Sequence, residues 1–166
     1  MGSSYSGKYG NTLGSKNEGT KTKNIGHKLT KDVKVWATKK ADSLSPKDRK
    51  MFTTACVAID TTTGDEYFGR NKGIFLEKQK KNPIIFGENG LLPKNSLNDF
   101  PLGNCAEVHA INKALNAGVK IENIQIKVIR TTKNYFGDNI KSCQNCTHAF
   151  KGKIKRNYSG WYKEEK

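Results

Sequence analysis

The stretch Asn104-Cys-Ala-Glu-Val-His-Ala-Ile-Asn-Lys-Ala-Leu-Asn-Ala117, closed by Gly118 and followed by Ile124-Gln-Ile-Lys-Val-Ile-Arg130, decides the fold class. Val108, Ile111 and Leu115 fall on one face of a 3.6-residue repeat, Asn104 is a good helix-capping residue type, and Gly118 tolerates the left-handed conformation that ends helices. This places Cys105 in the first turn. Ile124–Arg130 alternates for part of its length and fits a strand. Upstream, Thr54-Ala-Cys-Val-Ala-Ile59, the turn Thr63-Gly64-Asp65 and Glu66-Tyr-Phe-Gly-Arg70 read as a β-hairpin whose nearly all-apolar first strand is central and buried. With a second cysteine pair opening a helix at Ser142, the order predicts an α/β layered domain around a mostly buried sheet.

Outward from this core the patterns weaken. Residues 1–28 are rich in Gly, Ser, Asn, Thr and Lys without helical or strand period, and are expected to be a flexible leader or linker cut from something longer, with the domain over 29–166. Between Lys31 and Met51, Val33, Val35, Trp36 and Leu44 lie among lysines, and Ser45-Pro46 supplies an N-cap and a first helical position, so one or two amphipathic helices are expected. The stretch from Asn71 to Asn104 has three of the four prolines and no sustained period; a loop so long inside a domain is functional or disordered.

Composition bounds the function. The 166 residues suffice for one core and a tail. The net charge of +15 favours polyanionic partners, nucleic acid first, with a merely solubilising surface or an acidic protein partner as alternatives. No segment has the roughly 18 to 20 consecutive apolar residues of a membrane span, and Met1–Gly10 lacks the apolar region of a secretory signal.

Cys105-Ala106-Glu107 and, after roughly three dozen residues, Cys143-Gln-Asn-Cys146 supply three thiols and one acid. Positions three apart in a first helical turn share a face, so the sulfurs of Cys143 and Cys146 can reach one zinc ion, and helix N-termini favour their thiolate forms. Metal ligation requires reduced thiols, hence a reducing compartment where the protein acts. Three protein ligands leave a tetrahedral position open, as catalytic zinc sites do; a four-ligand structural staple would instead recruit His109 or His148. A metalloprotease helix is excluded, because its Glu directly follows the first ligand whereas Glu107 stands two positions after Cys105. Cys56, alone on an apolar strand, reads as a core thiol.

A ligand, one spacer and Glu, followed by Cys-x-x-Cys, resembles the signature of zinc nucleobase deaminases. The wider wording Cys105-Ala-Glu-Val-His-Ala-Ile-Asn-Lys-Ala-Leu115 with Ser142-Cys-Gln-Asn-Cys-Thr-His148 is similar to the YwqJ-like bacterial toxin deaminases of the cytidine deaminase superfamily, over Thr53 to the C-terminus. The resemblance implies a three-layer αβα domain with a central mixed sheet. It also implies zinc on Cys105, Cys143 and Cys146, a hydroxide attacking C4 of cytosine, and Glu107 carrying protons to the ring nitrogen and the leaving ammonia. Asn71 then stands where such enzymes contact the sugar or base, although it fits a plain turn equally well. The Ala106 N–H faces the reacting oxygen, and the Ser142 carbonyl the substrate amino group. His109 lines the pocket, supports it from behind, or is a packed core residue. Ser142 replaces the proline usual before the pair, which leaves that loop less rigid, and an all-cysteine ligand set makes zinc a weaker Lewis acid.

The tail Lys151–Lys163 mixes basic and aromatic residues. Lys153, Lys155, Arg156, Tyr158, Trp161 and Tyr162 are candidates for phosphate binding and base stacking, or else form a final strand covering the sheet. Together these features predict cytosine deamination in nucleic acid, DNA ahead of RNA. The enzyme would be the toxic domain of a larger secreted bacterial protein acting in the target-cell cytoplasm, with an acidic immunity protein as partner. The alternatives are a deaminase of free cytidine or nucleotides, and a non-catalytic zinc-stapled nucleic-acid-binding module.

Overall fold

A computed structural model describes residues 18–163, with side chains from residue 24 onward. The chain runs α1 (Glu18–Ser43), α2 (Pro46–Met51), β1 (Thr54–Asp60), β2 (Glu66–Arg70), α3 (Gly73–Leu76), α4 (Pro83–Phe86), α5 (Ala106–Asn116), β3 (Ile124–Arg130), α6 (Gln144–Phe150) and β4 (Arg156–Asn157). The strands form one mixed sheet in the order β2-β1-β3-β4. β1 is antiparallel to β2 and β3, and β4 runs parallel to β3. The expected hairpin and the central place of β1 are both present.

The pleat of β1 divides the core. Ala55, Val57 and Ile59 face α1, where they meet Ile25, Leu29, Val33, Ala37 and Phe52; Cys56 and Ala58 face the other way, against α5, α6 and the Ile126–Val128 side of β3. The result is the expected α/β domain of three layers with helices on both faces of the sheet. Among the described residues no helix is long and apolar enough to cross a membrane.

The leader boundary at residue 28 is corrected. Helix α1 passes straight through it, Ile25 and Leu29 are buried, and Lys28 holds Asp32 at 2.5 Å and Glu66 of β2 at 3.0 Å. Ile25, Leu29, Val33 and Ala37 recur every fourth residue, one helical stripe laid on the sheet. The rest of the expected leader, residues 1–17, lies outside the described residues.

Two local features aim α5. Gly69 of β2 lets the helix sit directly on the strand, since a Cβ there would stand 2.4 Å from the backbone nitrogen of Ala110 and 2.8 Å from the Ala106 carbonyl. Gly118, at φ +94, ends the helix as expected. The cap differs from expectation: Cys105 itself, not Asn104, occupies the N-cap with φ −73 and ψ 149, and the Asn104 carbonyl instead accepts the Lys72 N–H at 2.7 Å. Cys143 likewise caps α6, one residue later than the expected start at Ser142.

Candidate metal centre and cleft

Because α5 and α6 begin at the same edge of the sheet, their capping cysteines meet. Cys105 Sγ and Cys143 Sγ are 3.0 Å apart, and with Cys146 all three sulfurs lie within 4.8 Å of one another. An ion held tetrahedrally at about 2.3 Å from each sulfur would space them roughly 3.8 Å apart, so the triangle has ligand dimensions. Hydrogen bonds from Cys105 and Cys146, then burial acting the other way and backbone N–H groups of Cys146 and Asn145 acting with them, leave the Cys143 thiol well below its ordinary value. The hydrogen bond with Cys143 raises the Cys105 thiol, and those with Cys105 and then Cys143 raise that of Cys146. A three-sulfur set of these dimensions can hold a metal ion such as zinc, and metal uptake displaces the protons that its thiols carry. Among the described residues neither His109 nor His148 belongs to this group, and neither does Cys56, a fully buried core thiol.

Glu107, in the first turn of α5, is 4% exposed. Burial first, and then the Cys143 charge, push its carboxyl up to about 7, against a hydrogen bond from the Ser142 side chain. Ser142 is itself held. Its hydroxyl accepts from Asn157 Nδ2 at 2.9 Å and its N–H donates to the Gly160 carbonyl at 3.0 Å, which replaces by hydrogen bonding the rigidity that a proline would give. Asn157 thus holds the Ser142 side chain beside the Glu107 carboxyl, a role that sequence reading missed because it saw only the Ser142 carbonyl.

Cys105, Cys143 and Glu107 open into a cavity of about 660 Å³, within the size range of small-molecule sites. Among the described residues four cations border it, Lys50, Lys72, Arg130 and Lys141, and Glu107 is the sole carboxylate residue in its lining. Lys72 adopts φ +63, the left-handed region that bulky residues enter at a cost of order 1 kcal/mol. Phe100 and Pro101, from the long irregular segment, form part of the wall. Both ends of the segment 71–104 thus border the cavity.

The other sequence-predicted residues separate. Ala106 is the first residue of α5, so its N–H is one of the unbonded N-terminal donors beside Cys105. Asn71 lines the cavity, but its Oδ1 accepts from the N–H groups of Thr53 and Thr54 at 2.9 and 3.2 Å and its Nδ2 donates to the Met51 carbonyl at 2.8 Å. Its amide first of all fastens the start of β1 to the end of β2.

His109 is corrected from pocket-lining to packed. It is fully buried between β2 and α3, its Nδ1 accepts the Arg70 N–H at 3.0 Å, and its Nε2 stands 3.5 Å from Glu77. Burial, then the Lys113 charge, lower its pKa to about 4, so it is neutral at pH 7. Glu77 also binds Arg70 at 2.9 Å and Lys40 at 3.2 Å, joining α1, β2 and α5 behind the site.

The basic residues of the tail lie apart from the cysteines. The Lys155 N–H bonds the Ile124 carbonyl and Arg156 pairs with Gln125, which puts Lys153, Lys155 and Arg156 at the opposite end of β3 from Arg130 and the cysteines. Tyr158 donates to Gln125 at 2.9 Å and packs with the α1 side of the core, while Trp161 packs on the α5–α6 side. Their aromatic surface covers the sheet. Of the tail, Ser159 and Tyr162, the latter one of the aromatics expected to stack on bases, line a second cavity that adjoins the first.

Comparison with protein-family models, with curated proteins and with solved structures finds no match to this chain.

Proposed function

We propose that the chain is a zinc-dependent deaminase converting cytosine to uracil in nucleic acid, DNA ahead of RNA, with release of ammonia. The observation that carries the reading is the opening of a three-cysteine cluster and a buried carboxyl of raised pKa into one cavity. The resemblance of Cys105-Ala-Glu107 and Cys143-Gln-Asn-Cys146 to nucleobase deaminases supports the choice of reaction.

When bound, zinc supplies a Lewis acid that lowers the pKa of water at its open position. Glu107 would take one proton from the attacking water and pass it to the ring nitrogen, then take the second from the added hydroxyl and pass it to the amine, which leaves as ammonia; a buried carboxyl of raised pKa suits both transfers. Ser142, held by Asn157, keeps the carboxyl in place between them. The Ala106 N–H donates toward the reacting oxygen. A protonated Glu107 cannot act as base, so kcat/KM falls on the acid side of the pH profile as the carboxyl takes up its proton.

The test is incubation of zinc-loaded protein with single-stranded DNA, duplex DNA, RNA, free cytidine and adenosine-containing strands, followed by mass spectrometry for the roughly 1 Da gain of deamination. Turnover confined to cytosine supports the reading; no turnover of any of them contradicts it. Glu107→Ala is expected to abolish turnover with zinc still bound. A net charge of +15 and the toxin resemblance support a further part of the proposal, that the domain acts inside a competing cell and is neutralised by an acidic immunity protein.

A further inference from the structure

The cavity at the metal cluster does not end there. A second cavity of about 560 Å³ shares Arg130, Ile140, Lys141 and Cys143 with the first and continues past them to Asn139, Ser159 and Tyr162. The two form a cleft in two lobes, with the cysteines and Glu107 in one lobe and two cations, Arg130 and Lys141, on the wall between.

Each lobe carries an aromatic ring. Phe100, in the first, is 59% exposed although its loop is firmly held. Its N–H donates to Asn98 Oδ1 at 2.9 Å, and its carbonyl accepts from Ser96 Oγ at 2.5 Å. Buried Asn145 of α6, next to Cys146, accepts the Leu97 N–H at 2.8 Å and donates to Ser96 Oγ at 3.0 Å. A phenyl ring left in water on a loop tied down by four such bonds has an anchored backbone and an open face. Tyr162, in the second lobe, is half-buried, its N–H donates to Thr147 Oγ1 at 2.9 Å, and Lys141 Nζ lies 5.9 Å from its ring centroid. Aromatic rings flanking a line of cations are the elements with which proteins hold unpaired nucleotides.

We infer that the cleft binds a single-stranded polynucleotide across both lobes. The target base sits at the metal cluster, Phe100 and Tyr162 stack bases on either side of it, and Arg130 and Lys141 neutralise the phosphates between. This rests on the deaminase reading for the identity of the target base. A free nucleoside would leave the second lobe and the cations without a counterpart, and a base kept paired in a duplex could not descend to a carboxyl that is 4% exposed.

The test measures fluorescence anisotropy with zinc-loaded Glu107→Ala protein, which binds without turnover. The probes are a cytosine-containing single-stranded DNA nonamer, the same sequence as RNA, the matching duplex, and deoxycytidine monophosphate as competitor. Either single strand is expected to bind at least about tenfold more tightly than the duplex or the mononucleotide. Phe100→Ala and Tyr162→Ala are each expected to weaken strand binding roughly 5- to 150-fold, while Phe100→Trp and Tyr162→Phe, which keep a ring, retain it. Equal affinity for strand and duplex, or strand binding indifferent to both alanine substitutions, would overturn the inference. The two readings fail separately. Strand binding without cytosine turnover by the unsubstituted protein contradicts the deaminase and leaves the cleft, whereas turnover without strand preference contradicts the cleft and leaves the deaminase.

Discussion

On one face of the sheet α1 lays Ile25, Leu29, Val33 and Ala37 against Ala55, Val57, Ile59 and Ile129; on the other, α5 and α6 cover Cys56, Ala58, Ile126 and Val128 while burying Glu107, His109, Asn112 and Asn145. The first face is an apolar interface, sealed by Trp36 stacked 5.5 Å from Phe68 and edge-on to Phe52. The second mixes apolar packing with polar groups that must each find a partner, which is costly unless those groups are needed. The same sheet thus keeps its stability on one side and its reactive groups on the other, and substitutions on the two sides should separate in what they change.

The largest effect is expected on the apolar face. Phe52→Ala removes a ring that is 1% exposed and should cost about 3–5 kcal/mol in urea unfolding, with one zinc still taken up per folded molecule. Loss of zinc from the folded variant would show that the two faces are not independent.

On the polar face the corresponding signal is pH dependence. An unfolded imidazole takes its proton near pH 6.5, whereas His109 in the fold resists protonation down to about 4. The unfolded state therefore binds more protons in this window, and stability should fall as pH drops from about 6.5 to 4, by up to roughly 3 kcal/mol. His109→Gln should flatten that part of a stability–pH curve; an unchanged curve would mean that the histidine is charged in the fold.

Gly69→Ala comes next. Its new Cβ meets backbone atoms of α5, which cannot swing aside as a flexible side chain would, so a loss of about 1–3 kcal/mol is expected together with weakened zinc affinity as Cys105 moves. A stable variant with native zinc affinity would place the helix less rigidly than described.

What the sequence revealed follows this division. The hairpin, α5 and the cysteine pair were legible because each is a short-range pattern: alternation, a turn glycine, a 3.6-residue face, ligands three apart. The start of α1 was not, because Gly26 and the surrounding Thr and Lys residues dilute the helical signal, and the spacing of Ile25 and Leu29 gains meaning only against a sheet face. The Glu77–His109 and Asn157–Ser142 links join residues far apart in sequence, which no local pattern records. The position of the tail was illegible for a related reason: its composition suits nucleic acid, but the parallel pairing of β4 with Gln125 and Ile126, which sets its basic residues at the end of β3 away from Arg130, leaves no local pattern.

The smallest expected effect separates these two basic regions. For single-stranded DNA, Lys141→Ala should reduce the slope of log affinity against log salt by about 0.7, and Lys153→Ala should leave it unchanged. Equal changes would return the tail to the binding surface.

The central claim, a three-thiolate centre with one position left open, is tested most directly by zinc-edge X-ray absorption of the zinc-loaded protein. The account predicts three sulfurs at about 2.3 Å and one oxygen or nitrogen at about 2.0–2.2 Å that is not histidine. A fourth sulfur or an imidazole in the coordination shell would make the site a closed structural staple and contradict the claim.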